Sequence, residues 1–125
     1  MTFSGSYASQ IDRLVNDDFC MLSGNDDMIV PMMSRGASGM ISVWADICPK
    51  ACHELVAAFQ AGDVARQIQL EYLPLINALF CEVNPIPIKD AMNQRGMDVG
   101  GYRLPICEIS AAGRERVRCA LEVLR

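Results

Sequence analysis

The sequence lacks several features that would point to common classes of function. It has a single histidine, His53, so no second imidazole is available for a histidine-rich catalytic or metal centre. It has a net charge of -4 and no cluster of lysine or arginine, whereas nucleic acids and anionic membrane surfaces need a concentrated basic footprint. No apolar run approaches the length of a membrane span, and residues 1–5 do not resemble a secretion signal. We therefore expect a cytoplasmic protein with no nucleic-acid partner and no membrane partner.

The composition is that of a globular chain. It has 125 residues, of which 51% are hydrophobic, enough for one compact domain and too few to expect two. Six cysteines are scattered through apolar segments without any CxxC pair. Cys48 and Cys52 would share a helix face, with His53 turned away, which leaves a metal site as an alternative. We favour reduced, buried cysteines and expect no cofactor and no metal.

The first half of the chain predicts a βαβ unit. After a loop at residues 1–8 and a short amphipathic helix at 9–16, apolar runs at 19–22 and 40–44 predict two buried parallel strands. A helix at about 26–35, capped by Asn25 or preferably Asp27, would connect them. The second strand is apolar on both faces, which favours a central position in the sheet. The carboxyl ends of the two strands, at Ser23-Gly24-Asn25 and Ser42-Val43-Trp44, form the candidate functional edge, because ligands bind at this end of parallel strands.

The second half predicts helices only. Pro49 suits the first turn of a helix to about Ala61, and Asp63 would cap a helix at 64–80 that Pro74 kinks. The prolines of 84–89 should prevent helix until about Asp90. Gly96–Gly101 reads as turns, and Ser110 would cap a final amphipathic helix. Two parallel strands cannot cover both their edges and faces, so we expect them to belong to a larger sheet, such as a closed barrel or a wide doubly wound sheet.

Several segments resemble one enzyme family. The chain from about Gln10 to Leu124 is similar to the C-terminal part of 4-hydroxy-tetrahydrodipicolinate synthase (dihydrodipicolinate synthase), a pyruvate-dependent class I aldolase-type lyase of lysine biosynthesis. The segments that carry this resemblance are Leu22-Ser23-Gly24-Asn25-Asp26, Gly39-Met40-Ile41-Ser42-Val43, Asn84-Pro85-Ile86-Pro87-Ile88-Lys89, Arg103-Leu104-Pro105 and Ser110 with the helix after it.

The resemblance implies an α/β fold, the C-terminal part of a (β/α)8 TIM barrel followed by a three-helix domain. Strands seven and eight with their helices would occupy residues 1–62, and the helical domain residues 63–125. The family usually forms homotetramers. Its Schiff-base lysine, at the end of strand six, would fall just before Met1, so we expect no catalytic residue in this chain and no activity from the chain alone.

The same resemblance implies two substrate-binding residues, Gly24 and Ile41, which would line the pyruvate pocket. On the residues alone, a turn glycine and a core aliphatic explain these two positions equally well. Asn25 and Trp44 depart from the residues expected in the family. Asp17-Asp18 and Asp26-Asp27 could suggest acid/base chemistry, but adjacent acids beside helix ends are more often caps or solvated charges. Lys50 and Lys89, the only lysines, do not follow strands, and we expect structural or solvated roles for both.

Three functional hypotheses remain open from the sequence. The first is the C-terminal part of the lyase, which condenses pyruvate with L-aspartate 4-semialdehyde. The second is a non-catalytic, truncated paralogue that acts in assembly with a full-length paralogue. The third is a small-molecule binding module that keeps part of the pyruvate pocket. We expect homo-oligomerisation under all three, because the barrel-facing sides of 19–22 and 40–44 would otherwise expose an apolar patch.

Overall fold

The computed structural model describes residues 2–3 and 18–124. Strands come first and helices follow, as predicted, in the order β1 (Thr2–Phe3), β2 (Leu22–Ser23), α1 (Ile29–Met33), β3 (Gly39–Met40), α2 (Pro49–Gln60), α3 (Ala65–Leu79), α4 (Ile86–Gln94) and α5 (Ala111–Ala120). Short 3₁₀ turns cover Asp26–Met28, Trp44–Asp46 and Leu121–Leu124. The helix predicted at 9–16 lies outside the described residues. The chain divides into two compact units, Met1–Leu70 and Glu71–Arg125, and the domain boundary expected after Gly62 stays a prediction.

The first unit contains a three-stranded parallel sheet in the order β1-β2-β3. Leu22 pairs with Thr2 on one side and with Gly39 on the other. The three parallel strands are therefore aligned, and their carboxyl ends lie side by side. The prediction of a loop at residues 1–8 is wrong for Thr2–Phe3, because these two residues form a strand that pairs with β2. The central strand is β2, and β3 is an outer strand of the sheet within the described residues. The central position expected for the second strand is therefore not found here.

The second predicted strand is also shorter than expected. Regular pairing ends at Met40, and the chain turns into the 3₁₀ segment Trp44–Asp46 instead of continuing as a strand to residue 44. Trp44 and Met21 are fully buried, so their large apolar side chains belong to the hydrophobic core of this unit. Within the expected apolar patch, Ile41 and Cys20 are exposed, while Phe19, Leu22 and Met40 are half-buried.

The helix between β2 and β3 begins differently from the prediction. A 3₁₀ turn at Asp26–Met28 leads into the five-residue helix α1, whose buried residues include Ile29 and Met32. Neither segment has a side-chain cap, so the predicted cap by Asp27 is wrong. Asp27 is exposed, whereas its neighbour Asp26 is buried.

The second unit is helical. Asp63 accepts a hydrogen bond from the Val64 N–H at 2.8 Å just before α3, and its capping of α3 stays a prediction. Pro74 lies inside α3, and the kink expected there stays a prediction. Helix α4 begins at Ile86, four residues earlier than predicted, because prolines in a first helical turn lack only an N–H that has no intrahelical partner.

Helices α4 and α5 pack against each other, and Ile88, Ala91 and Val117 are buried. Ser110 caps α5 as predicted: its Oγ accepts a hydrogen bond from the Gly113 N–H at 3.0 Å. No helix in the described part of the chain has the length and apolar character to cross a membrane.

Candidate functional site

The two predicted substrate-binding residues meet at one edge of the sheet. Gly24 directly follows β2 and Ile41 directly follows β3, and the residues before them, Ser23 and Met40, are paired in register. The Ile41 N–H donates to the Ser23 carbonyl at 2.8 Å. Gly24 is exposed and Ile41 is 59% exposed, so both present surface at the carboxyl ends of the strands. Their contact with pyruvate stays a prediction.

The loop after β2 is held by its own side chains. The Ser23 hydroxyl, which is buried, donates to the Asn25 carbonyl at 2.9 Å. This bond closes a tight turn around Gly24. The Asn25 side chain provides no capping hydrogen bond to the following turn.

Asp26 is the buried acid of the site, with 2% of its surface exposed. Its Oδ2 accepts a hydrogen bond from the Trp44 N–H at 2.8 Å. Burial raises the pKa of this carboxyl, while hydrogen bonds from Trp44, Ser42 and Val43 partly offset that rise. From the sequence, Asp26 is expected to be a cap or a solvated acid. It does act as a cap, but for the turn after β3 and not for the segment in which it lies.

Gln69, which is not among the residues predicted for the site, extends this arrangement. Its Nε2 donates to the Asp26 carbonyl at 2.6 Å, and its Oε1 accepts from the Val30 N–H at 3.1 Å. The side chain comes from α3, 43 residues after Asp26, and is buried. No local pattern marks such a residue, whereas Asp26 could have been noticed because it lies within three residues of the end of β2.

Ser42 and Cys52 lie beside the buried acid. The Ser42 Oγ accepts from the Ala45 N–H at 3.1 Å, which supports the turn that contains Trp44. Burial raises the pKa of Cys52 to about 12, against a smaller opposing effect of a hydrogen bond with Ser42. Cys48 and Cys52 are both buried and His53 is exposed. Among the described residues, no three histidine, cysteine or acidic side chains form a group that could hold a metal.

The two lysines lie in helices and have structural contacts. The Lys50 side chain is 88% exposed and forms an i,i+4 ion pair with Glu54 at 3.7 Å. Lys89 Nζ donates to the Gly101 carbonyl at 2.6 Å and lies 5.6 Å from the centre of the Tyr102 ring. Neither lysine belongs to the loops that follow β2 and β3.

Comparisons with known proteins agree on one family. The family model described as the dihydrodipicolinate synthetase family matches residues 2–124. The 4-hydroxy-tetrahydrodipicolinate synthase of Acetivibrio thermocellus is 51% identical over 115 residues, which are 90% of this chain and 39% of that enzyme. The chain thus spans about two fifths of the length of this curated relative.

Solved structures show the same relationship. Dihydrodipicolinate synthase from Cyanidioschyzon merolae, solved with lysine bound, matches 98% of this chain and 43% of its own, at 30% identity and a TM-score of 0.92. The chloride-inhibited enzyme from Acinetobacter baumannii, complexed with pyruvate, matches 93% of this chain and 40% of its own, at 39% identity and a TM-score of 0.85. The fold is the C-terminal part of a TIM barrel with its helical extension. This chain belongs to the dihydrodipicolinate synthetase family and corresponds to the C-terminal part of its members.

Proposed function

We propose that this chain provides the C-terminal part of a 4-hydroxy-tetrahydrodipicolinate synthase, which condenses pyruvate with L-aspartate 4-semialdehyde in the cytoplasm. The observation that carries this proposal is the common register of three parallel strands, which brings Gly24 and Ile41 to one edge. In barrels of this class, that edge is where substrates bind. In the proposed enzyme, Gly24 and Ile41 contribute to the pyruvate pocket.

The nucleophile of the proposed reaction comes from outside this chain. A Schiff base requires a lysine amine that is neutral near pH 7 and placed at the substrate. Lys50 lies in solvent beside Glu54, and the Lys89 ammonium is held by a backbone carbonyl. These positions support structural roles. By the family resemblance, the lysine lies at the end of strand six and would fall just before Met1.

The test is to trap the Schiff base. The chain is incubated with pyruvate and sodium borohydride, alone and mixed with the N-terminal part of the Acetivibrio thermocellus relative that precedes the matched region. Intact mass then shows which polypeptide carries a reduced pyruvyl adduct. The variants Lys50→Arg and Lys89→Arg of this chain are matched controls, because each keeps the charge and removes the amine.

An adduct on the N-terminal polypeptide, formed only in the mixture, is the expected result. An adduct on this chain that disappears in one lysine variant would show that the nucleophile has been placed on the wrong polypeptide. If neither polypeptide gains an adduct while the two form a folded complex, the lyase proposal is wrong.

A second candidate function is non-catalytic assembly with a full-length relative or with further copies of this chain. It is favoured by the two outer strands, β1 and β3, each of which pairs on one side only within the described sheet. Co-expression with a full-length relative, followed by native mass spectrometry, tests it. A complex of defined stoichiometry with the full-length relative, together with no pyruvyl adduct in the mixture of this chain with the N-terminal part, would favour assembly over catalysis.

A further inference from the structure

Two loops at the candidate site are tied together by one buried acid. Asp26 lies two residues after Gly24, and Trp44, whose N–H it accepts at 2.8 Å, lies three residues after Ile41. The strands that precede these loops are only two residues long each. The sheet itself therefore fixes little of the loop backbone beyond the hydrogen bond from Ile41 to Ser23.

We propose that Asp26 and Gln69 are positioning residues of the pyruvate pocket, which hold the Gly24 and Ile41 loops in one fixed relation. This inference rests on the proposed function. Both side chains are buried, so they act on a ligand through the loops that they hold and not by contact with it.

The Asp26 carboxylate is suited to this role because it joins elements that are distant in sequence. It belongs to the loop after β2 and binds the first N–H of the turn after β3, across 18 residues. A charge-assisted hydrogen bond in a buried site is stronger and more directional than a neutral one. Movement of either loop would break this bond and leave a buried carboxylate without a donor, which is costly.

Gln69 fixes Asp26 in turn. Its amide uses a donor and an acceptor at once, on the Asp26 carbonyl and on the Val30 N–H. The Val30 N–H lies in the first turn of α1, where N–H groups lack intrahelical partners, and the Asp26 carbonyl lies at the start of the preceding 3₁₀ turn. A leucine of similar size could make neither bond. A glutamate could accept from Val30 but could not donate to Asp26.

Four variants test the proposal in the mixture with the N-terminal part of the barrel. Asp26→Ala removes the acceptor for Trp44, Asp26→Asn keeps one, and Gln69→Leu removes both bonds to the loop. Val117→Ala truncates a fully buried side chain in the second unit and serves as the control for general loss of stability. The unfolding free energy, the pyruvate KM and kcat are measured for each variant.

We expect Asp26→Ala and Gln69→Leu to raise the pyruvate KM by about tenfold, with a smaller change in kcat, because the loops are displaced while the reacting lysine is not. Asp26→Asn should restore most of the affinity, since it still accepts from Trp44. Val117→Ala should lower stability and leave KM unchanged. If it raises KM as much as the two site variants, or if these leave KM unchanged, the positioning role is wrong.

A readout on the chain alone separates this proposal from the proposed function. Amide resonances of Gly24 and Ile41 in ¹⁵N-labelled chain should shift in Asp26→Ala and Gln69→Leu and stay in place in Val117→Ala. If the wild-type mixture forms a folded complex but is inactive, the lyase proposal fails, and the resonances alone decide whether Asp26 and Gln69 hold the loops. Unchanged resonances would refute that as well. If Asp26→Ala fails to fold, Gln69→Leu provides the same test, because it leaves the Asp26 carboxylate in place.

Discussion

The Asp90 carboxylate and the Arg114 guanidinium join α4 to α5 through an ion pair of 3.1 Å. Asp90 is buried, whereas the Arg114 side chain is 54% exposed. The other carboxylate oxygen of Asp90 accepts from Gln94 Nε2 at 2.6 Å. A buried carboxylate is thus satisfied by two donors, one of them charged.

Arg114→Met should destabilise the chain by roughly 1–2 kcal/mol, because Asp90 then keeps only the donor of Gln94. The expected loss is below that of a fully buried pair, since solvent screens the guanidinium. Urea unfolding measures it. Arg116→Met, at an exposed position on the same helix, is the matched control and should change the unfolding free energy by less than about 0.5 kcal/mol. Equal effects of the two variants would mean that the ion pair contributes nothing specific.

Gly113→Ala should destabilise the second unit although alanine is the better helix former. An added Cβ would overlap the Glu82 carboxylate and lie 2.9 Å from the Ile109 side chain. The Glu82 carboxylate accepts hydrogen bonds from the Ser110 N–H and hydroxyl, so its displacement also weakens the cap of α5. We expect a loss of roughly 1–3 kcal/mol, which exceeds the gain of about 1 kcal/mol in helix propensity.

Gly101→Ala is the control for this substitution. A Cβ at Gly101 would meet no atom within 4 Å, and alanine restricts the unfolded chain. Its unfolding midpoint should equal or slightly exceed that of the wild type. A Gly113→Ala variant as stable as Gly101→Ala would show that Glu82 moves aside without cost.

Cys52 should resist alkylation in the folded chain. Burial raises the pKa of its thiol to about 12, so at pH 8 only about one molecule in ten thousand carries the reactive thiolate. Cys20, Cys107 and Cys119 are exposed and should react first with iodoacetamide, as read by peptide mass spectrometry. All sites should react in urea. Rapid modification of Cys52 without urea would mean that α2 opens readily.

The raised pKa of Asp26 should make the stability of the chain depend on pH. Burial raises the pKa of its carboxyl in the folded chain above the unfolded value, with a small contribution from Asp27. An acid with a raised folded pKa stabilises the fold fully below the unfolded pKa, near 4, and this stabilisation is lost as pH rises through the folded pKa. As pH rises above about 4, the wild type should therefore lose unfolding free energy relative to the Asp26→Asn variant. Asp27→Asn, an exposed change in the same turn, should reduce this pH dependence only slightly, because Asp27 makes only a small contribution to the raised pKa of Asp26.

The helices of the second half could be predicted from the sequence because their signals are local. Pro49 begins α2, Gly62 follows its end, and Ser110 caps α5, so that predicted and observed limits differ by one or two residues. The early start of α4 is the exception. There, the rule that the residue before a proline avoids helical geometry was outweighed by the tolerance of first turns for proline.

The strands and the buried acid were harder to predict, because they depend on partners distant in sequence. Thr2–Phe3 has no alternating pattern and becomes a strand only by pairing with β2. The apolar run at 40–44 ends as a turn because Trp44 packs into the core. Asp26 and Gln69 are separated by 43 residues, and no periodicity connects them. The place of Gly24 at the edge of the sheet was predictable from the parallel strands, whereas Ile41 was assigned only by the family resemblance, since the strand was expected to continue to residue 44.

Ile41→Ala should show whether Ile41 contacts pyruvate or packs in the hydrophobic core. Because Ile41 is 59% exposed, its truncation should cost less than about 1 kcal/mol of stability. In the mixture with the N-terminal part of the barrel, the same change should raise the pyruvate KM several-fold, as removal of an apolar contact with the substrate does. Leu104→Ala, at a side chain that is 93% exposed in the second unit, is the control and should change neither quantity. A large loss of stability would instead assign Ile41 to the core of the barrel. An unchanged KM would remove it from the pyruvate pocket and leave Gly24 as the one candidate contact from this chain.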